Sequence, residues 1–152
     1  MARARVGGRV AAGPMATRRV LIVDDEAEVR SALADILRAM RYEDTLEVGE
    51  ASDGQEGLNA VLAQRPDMIL LDLQMPRVSG LALLKQIHEV DRRLPIIVIT
   101  ATRDTKMAAE ALGEGAVAYL PKPFDPRHVE MLVATYLDTT KRPPKKPADP
   151  PR

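Results

Sequence analysis

Two hydrophobic rhythms alternate along the chain. Compact runs of β-branched and aliphatic residues, too short for helices, stand at Val20–Val23, Met68–Leu71 and Ile96–Ile99, with a smaller one at Val117–Leu120. Such runs mark strands buried on both faces. Leu46 and Val48, and then Ala51, are interleaved with polar residues and predict a half-exposed strand. Between these runs apolar residues recur three and four apart. Val29, Leu33, Ile36, Leu37 and Met40 predict a helix over Ala27–Met40, and Leu58, Val61 and Leu62 one that ends before Pro66. Leu81, Leu84, Ile87 and Val90 follow a Ser79 cap, and Pro95 closes the loop behind them. After Asp104 as cap, Met107, Ala108, Ala111 and Leu112 form a short, weakly apolar helix stopped by Gly113 and Gly115. Asp125 as N-cap and Pro126 at the first helical position begin the last helix, which buries Val129, Leu132, Val133, Tyr136 and Leu137.

Five strands alternating with five helices define an α/β fold, a parallel sheet covered on both faces. The right-handed crossover rule favours a doubly wound, flavodoxin-like strand order 2-1-3-4-5. In that order the topological switch lies between strands one and three, and ligands bind beyond the carboxyl ends of the strands. Strand one ends in Asp24-Asp25-Glu26, strand three in Asp72, strand four in Thr100, and Lys122 follows strand five. All of them arrive at one edge.

At 152 residues the chain fits one domain with a core of its own. Cysteine is absent, which excludes a disulfide framework and thiolate chemistry. No apolar run approaches the roughly 20 residues that span a bilayer, and no secretory signal is recognisable, so a cytoplasmic protein is expected. The 22 basic and 22 acidic residues cancel overall but not locally. Residues 1–19 carry five Arg and no acid, and residues 138–152 carry five Lys or Arg against Asp138 and Asp149. With those set aside, Val20–Leu137 holds 12 basic and 20 acidic residues, a net charge of −8. An acidic body with three Tyr, one Phe and no Trp lacks the basic, aromatic-rich face of a nucleic-acid platform. Residues 1–17 read as a disordered basic leader, 18–139 as the domain, and 140–152, rich in Pro and Lys, as a disordered tail with no room for a DNA-binding output domain.

Taken alone, Asp24, Asp25 and Glu26 have a simple structural reading as acids that cap and solvate the following helix. Beside Asp72 they need another. Two like charges at about 4 Å and an effective dielectric near 20 repel by about 4 kcal/mol, so either the carboxyl pKa values rise or a cation joins them. A hard divalent ion with oxygen ligands, most naturally Mg²⁺, suits such a set.

The pattern resembles the receiver domain of two-component response regulators, of the single-domain, chemotaxis-regulator-like type. The resemblance rests on Asp24-Asp25, on Asp72-Leu73-Gln74-Met75-Pro76 with Gly80 beyond, on Thr100-Ala101, and on Tyr119-Leu120-Pro121-Lys122-Pro123-Phe124. It implies a stand-alone phosphorelay regulator rather than an enzyme acting on a separate substrate. Asp72 would accept a phosphoryl group from a histidine kinase or histidine phosphotransfer protein. Mg²⁺ would be held by Asp25, Asp72, the backbone carbonyl of Gln74 and, through water, Asp24. Lys122 and Thr100 would contact the phosphoryl oxygens, and a cis bond would join Lys122 to Pro123. Thr100 and Tyr119 would switch a surface of the fourth helix, fifth strand and fifth helix toward a downstream protein, with homodimerisation left open. The resemblance also implies that Gln74 and Thr102 would flank the site and affect the rate of dephosphorylation. Two alternatives stand beside this reading: a receiver-like interaction module that is never phosphorylated, and a phosphatase of the haloacid dehalogenase type. The latter carries a second Asp two residues after its nucleophile, where this chain has Gln74.

Overall fold

The computed structural model describes residues 16–77, 79–101 and 103–141, and the side chains up to Asp138. Most of the expected leader, the tail beyond residue 141 and Thr102 lie outside the described residues. Ten elements alternate: β1 (Thr17–Val23), α1 (Ala27–Ala39), β2 (Thr45–Ala51), α2 (Gly54–Ala63), β3 (Met68–Asp72), α3 (Gly80–Val90), β4 (Ile96–Ala101), α4 (Thr105–Gly113), β5 (Ala118–Lys122) and α5 (Pro126–Lys141). The strands form one parallel sheet of order β2-β1-β3-β4-β5, as the alternation predicts. No helix of the described residues is long and apolar enough to cross a membrane.

Successive strand residues point to opposite faces, so each buried strand feeds two cores. Val20, Ile22, Met68, Leu70, Ile97 and Ile99 pack with Leu33 and Leu37 of α1 and Val129, Val133 and Leu137 of α5. Leu21, Val23, Ile69, Leu71, Ile96 and Val98 pack with Val61 of α2, Leu83, Leu84 and Ile87 of α3 and Ala111 of α4. The central strands are therefore apolar through their middles, over Val20–Val23, Met68–Leu71 and Ile96–Ile99, which is why their runs are continuous in the sequence.

Several boundaries and faces differ from expectation, each for a physical reason. β1 begins three residues before Val20, inside the segment read as leader. Its polar start is tolerated because the buried Arg18 guanidinium donates to the Leu137 carbonyl at 3.1 Å and lies 3.8 Å from the Asp67 carboxylate. β5 runs on through Pro121, which pairs with Thr100 in an edge strand, where proline's missing N–H costs least. Leu62 and Val90, assigned to core faces, are 61 % and 58 % exposed, and Leu112 is 41 % exposed. The buried face of α2 runs instead through Gly54, Gly57 and Val61, and a Cβ on Gly57 would stand 3.1 Å from Val23. A face built on glycine is silent in a hydropathy pattern. In α3 the buried set is Leu83, Leu84 and Ile87, and Val90 sits in the last turn beyond them.

Ser79, Asp104 and Asp125 sit where the sequence places caps, and Asp53 is a further one. Asp53, Ser79 and Asp104 accept from the N–H groups of Glu56, Ala82 and Met107, and Asp125 accepts from Arg127 N–H at 2.8 Å. These bonds satisfy donors that a helix start leaves unpaired.

Candidate functional site: an acidic cluster at the switch point

The register that pairs Val23 with Leu71 carries β1 and β3 out of the sheet side by side, so Asp24 and Asp72 emerge as neighbours. Both are essentially inaccessible, at 0 % and 1 % exposure, while Asp25 is exposed. Carboxylate oxygens of the three lie within 4.8 Å of one another. Asp24 is fixed from several directions: its N–H donates to the Ala51 carbonyl at 3.1 Å, its carbonyl accepts from Arg30 at 2.7 Å, and its Oδ1 accepts from Glu26 N–H at 2.8 Å. Asp72 Oδ1 accepts from Gln74 N–H at 3.1 Å. Glu26 occupies the N-cap of α1 but its side chain makes no capping bond.

Lys122 closes the cluster from β5. Its Nζ lies 3.6 Å from Asp24 Oδ2, 3.6 Å from Asp72 Oδ2 and 3.5 Å from Glu26 Oε1. The Lys122–Pro123 bond is cis, as expected. Thr100, beside Pro121 near the end of β4, is 1 % exposed, and its hydroxyl has no hydrogen-bond partner among the described residues. A buried hydroxyl without a partner is rare and points to a group that completes it.

The charges shift as this crowding requires. Burial, followed by the neighbouring Asp24 and Asp25, pushes the Asp72 carboxyl up to about 6, against the pull of Gln74 N–H and Lys122. Burial raises Asp24 as well, with Glu26 and Asp25 adding to it. Burial alone would lower Lys122, but Asp72, Asp24 and Glu26 together carry it above the ordinary lysine value. An incompletely neutralised trio of hard oxygen donors is a fit place for a divalent cation, and its donor set suits Mg²⁺.

Gly80 makes the geometry of this edge possible. A Cβ there would stand 2.5 Å from the Asp72 carbonyl oxygen and 2.5 Å from Leu73 Cα, so only glycine lets the start of α3 lie against the end of β3. Gln74, between them, is exposed, and its side chain donates to Asp104 Oδ2 at 3.1 Å, linking this loop to the cap of α4. Tyr119 is 41 % exposed on β5, outside the core aromatic role that its strand position allows. Asp24, Asp25, Asp72, Gln74, Thr100 and Lys122 thus gather at one edge, Tyr119 stands on the exposed side of β5, and Thr102 lies outside the described residues. Glu26 as a partner of Lys122, and Asp104 as a partner of Gln74, were not foreseen. The acid run after β1 was the only sequence signal for the first, and the second had none.

The fold and the cluster at its switch point define a receiver. Consistently, the response regulator receiver domain family matches residues 20–134, and the chain belongs to that family. Among its relatives are the chemotaxis protein CheY of Thermotoga maritima, 38 % identical over 74 % of this chain and 91 % of that protein, and the transcriptional regulatory protein PdtaR of Mycobacterium tuberculosis, 43 % identical over 70 % of this chain. The chain spans 50 % of the length of PdtaR. The crystal structure of the receiver domain of NtrX from Brucella abortus superposes with a TM-score of 0.74 at 30 % identity, over 79 % of this chain and 98 % of that one. Membership sets aside the haloacid dehalogenase alternative.

Proposed function

We propose that the chain is a phosphoacceptor of a two-component phosphorelay, with Asp72 as the acceptor. The observation that carries this reading is the position of Lys122 Nζ, 3.6 Å from the buried Asp72 carboxylate, in a cluster that also contains Asp24 and Asp25. Asp72 attacks the phosphorus of a phosphohistidine on a histidine kinase or histidine phosphotransfer protein. The P–N bond breaks, its electron pair leaves with the imidazole, and a P–O bond forms on Asp72. In such a transition state charge spreads over the equatorial phosphoryl oxygens, and stabilising it is a matter of positioned charge and donors. Lys122 supplies a fixed ammonium, and the buried Thr100 hydroxyl supplies a donor. Asp24, Asp25, Asp72 and the backbone carbonyl of Gln74 are the groups that would hold Mg²⁺. When bound, that ion supplies positive charge opposite the phosphoryl oxygens.

Output is a change in protein binding. Phosphorylation adds charge and acceptor oxygens at Asp72, Thr100 turns toward them, and Tyr119 moves from its exposed position into the space released. The surface affected is that of α4, β5 and α5, where Leu112 and Tyr119 are each 41 % exposed. The relay partner is a phosphohistidine protein, and the target is a protein that reads this surface.

Incubating the full chain with Mg²⁺ and acetyl phosphate and weighing the intact protein tests the reading. One added phosphoryl group is expected on the wild type, dependent on Mg²⁺ and absent from Asp72→Asn. Equal labelling of both proteins would refute the assignment.

A further inference from the structure

Lys122 has one more carboxylate within reach than the cluster around Asp72 supplies. Glu26 Oε1 lies 3.5 Å from its Nζ, a contact between residues 96 apart in sequence. Glu26 is held for this purpose from its main chain, since its N–H donates to Asp24 Oδ1 at 2.8 Å while its side chain takes no part in capping α1. With a side chain 61 % exposed against 0 % for Asp24 and 2 % for Asp72, Glu26 meets the ammonium from the mouth of the crevice and the two aspartates meet it from the floor.

We propose that Glu26 is a positioning residue for Lys122, holding the ammonium at the mouth in the unphosphorylated molecule and thereby restraining phosphorylation. The inference rests on the reading of Asp72 as phosphoacceptor. Two effects act, and both have the same sign. The Glu26 contact belongs to the resting state and loosens as the ammonium turns to the incoming phosphoryl oxygens, so it lowers the starting state more than the transition state. The carboxylate also presents negative charge to an anionic donor at the entrance. Its removal leaves Lys122 between Asp24 and Asp72, each 3.6 Å away, so the ammonium stays at the site.

The test measures labelling rates of the full chain with Mg²⁺ and acetyl phosphate, across donor concentration and salt. In this reaction the bond from phosphorus to the acetyl oxygen breaks, its electron pair leaves with acetate, and a P–O bond forms on Asp72. Glu26→Gln is expected to label about two- to fivefold faster at low salt, the range that a solvent-exposed ion pair supports. The gain should appear largely as a lower half-saturating donor concentration and shrink as salt rises. Glu26→Asp, which keeps the charge on a shorter arm, falls between the two. Glu89→Gln removes an exposed charge from the far end of α3 and leaves the rate unchanged. Labelling of Glu26→Gln that is unchanged or slower, on a wild type that does label, overturns the inference, as does an equal gain in Glu89→Gln. A wild type that never labels removes the phosphoacceptor reading instead. A second readout needs no phosphoryl chemistry: acylation of Lys122 by an amine reagent, followed by peptide mass in metal-free protein, is expected to quicken in Glu26→Gln. An unchanged acylation rate shows that Glu26 does not hold the ammonium and overturns the inference on its own.

Discussion

At the scale of single residues, Asp72 concentrates the cost of the site. It is 1 % exposed and stands beside Asp24 and Asp25, and its carboxyl is pushed up to about 6 from 3.8. A carboxyl raised on folding binds its proton more tightly in the native state, so its contribution to stability is present at low pH and is lost as pH rises through the native value. In chelator, the stability of Asp72→Asn relative to wild type should therefore be near zero at about pH 4 and grow to a plateau above about pH 6, of up to about 3 kcal/mol. Urea denaturation at a series of pH values reads this directly, and a difference independent of pH would contradict the electrostatic account. Asp24, Asp25, Asp72, Thr100 and Lys122 were legible because each lies within two residues of the end of its strand, and parallel strands deliver their ends to one edge. Glu26 and Asp104 were not legible in these roles, since each depends on a side chain reaching across to another element, over 96 and 30 residues of sequence.

At the scale of elements, the placement of α3 decides whether β3 can end in a usable site. Ser79 caps the helix, and Gly80 lets it sit against the Asp72 carbonyl. Gly80→Ala is predicted to destabilise by about 1–3 kcal/mol, because the added methyl meets rigid backbone, and overpacking of that kind is costly. Gly113 provides the internal comparison. Outside its chain neighbours and its own helix backbone, no atom of the described residues lies within 4 Å of a Cβ built there, so Gly113→Ala at the end of α4 should be neutral or stabilising by up to about 1 kcal/mol. Thermal or urea unfolding of both variants checks the pair, and a Gly80→Ala protein as stable as wild type would show that the helix can move aside. The helices themselves were plain from periodicity, but their inward faces were less so. Val61 and Ile87 fell where apolar spacing put them, whereas α2 turns Gly54 and Gly57 to the sheet and leaves Leu62 outside.

At the scale of the molecule, one sheet with two cores explains both the clarity of the fold and the location of its chemistry. Strands buried on both faces must be apolar throughout, so polar groups are pushed to their ends, and the order β2-β1-β3-β4-β5 brings the ends of β1 and β3 together. Alternation and handedness left few strand orders, and the favoured one, 2-1-3-4-5, is the order observed. The start of β1 was not, because Arg18 is buried through a contact with Asp67 and a carbonyl of α5 that no local pattern announces. The proposed phosphoacceptor function requires this architecture to place a phosphoryl group on one carboxylate among three. Reduction of the acetyl phosphate-treated protein with borohydride, which converts an aspartyl phosphate to homoserine, followed by peptide sequencing by mass, locates that group. Homoserine at position 72 alone, and only when Mg²⁺ was present, is the predicted result; homoserine at position 24 or 25, or at none of the three, would contradict it.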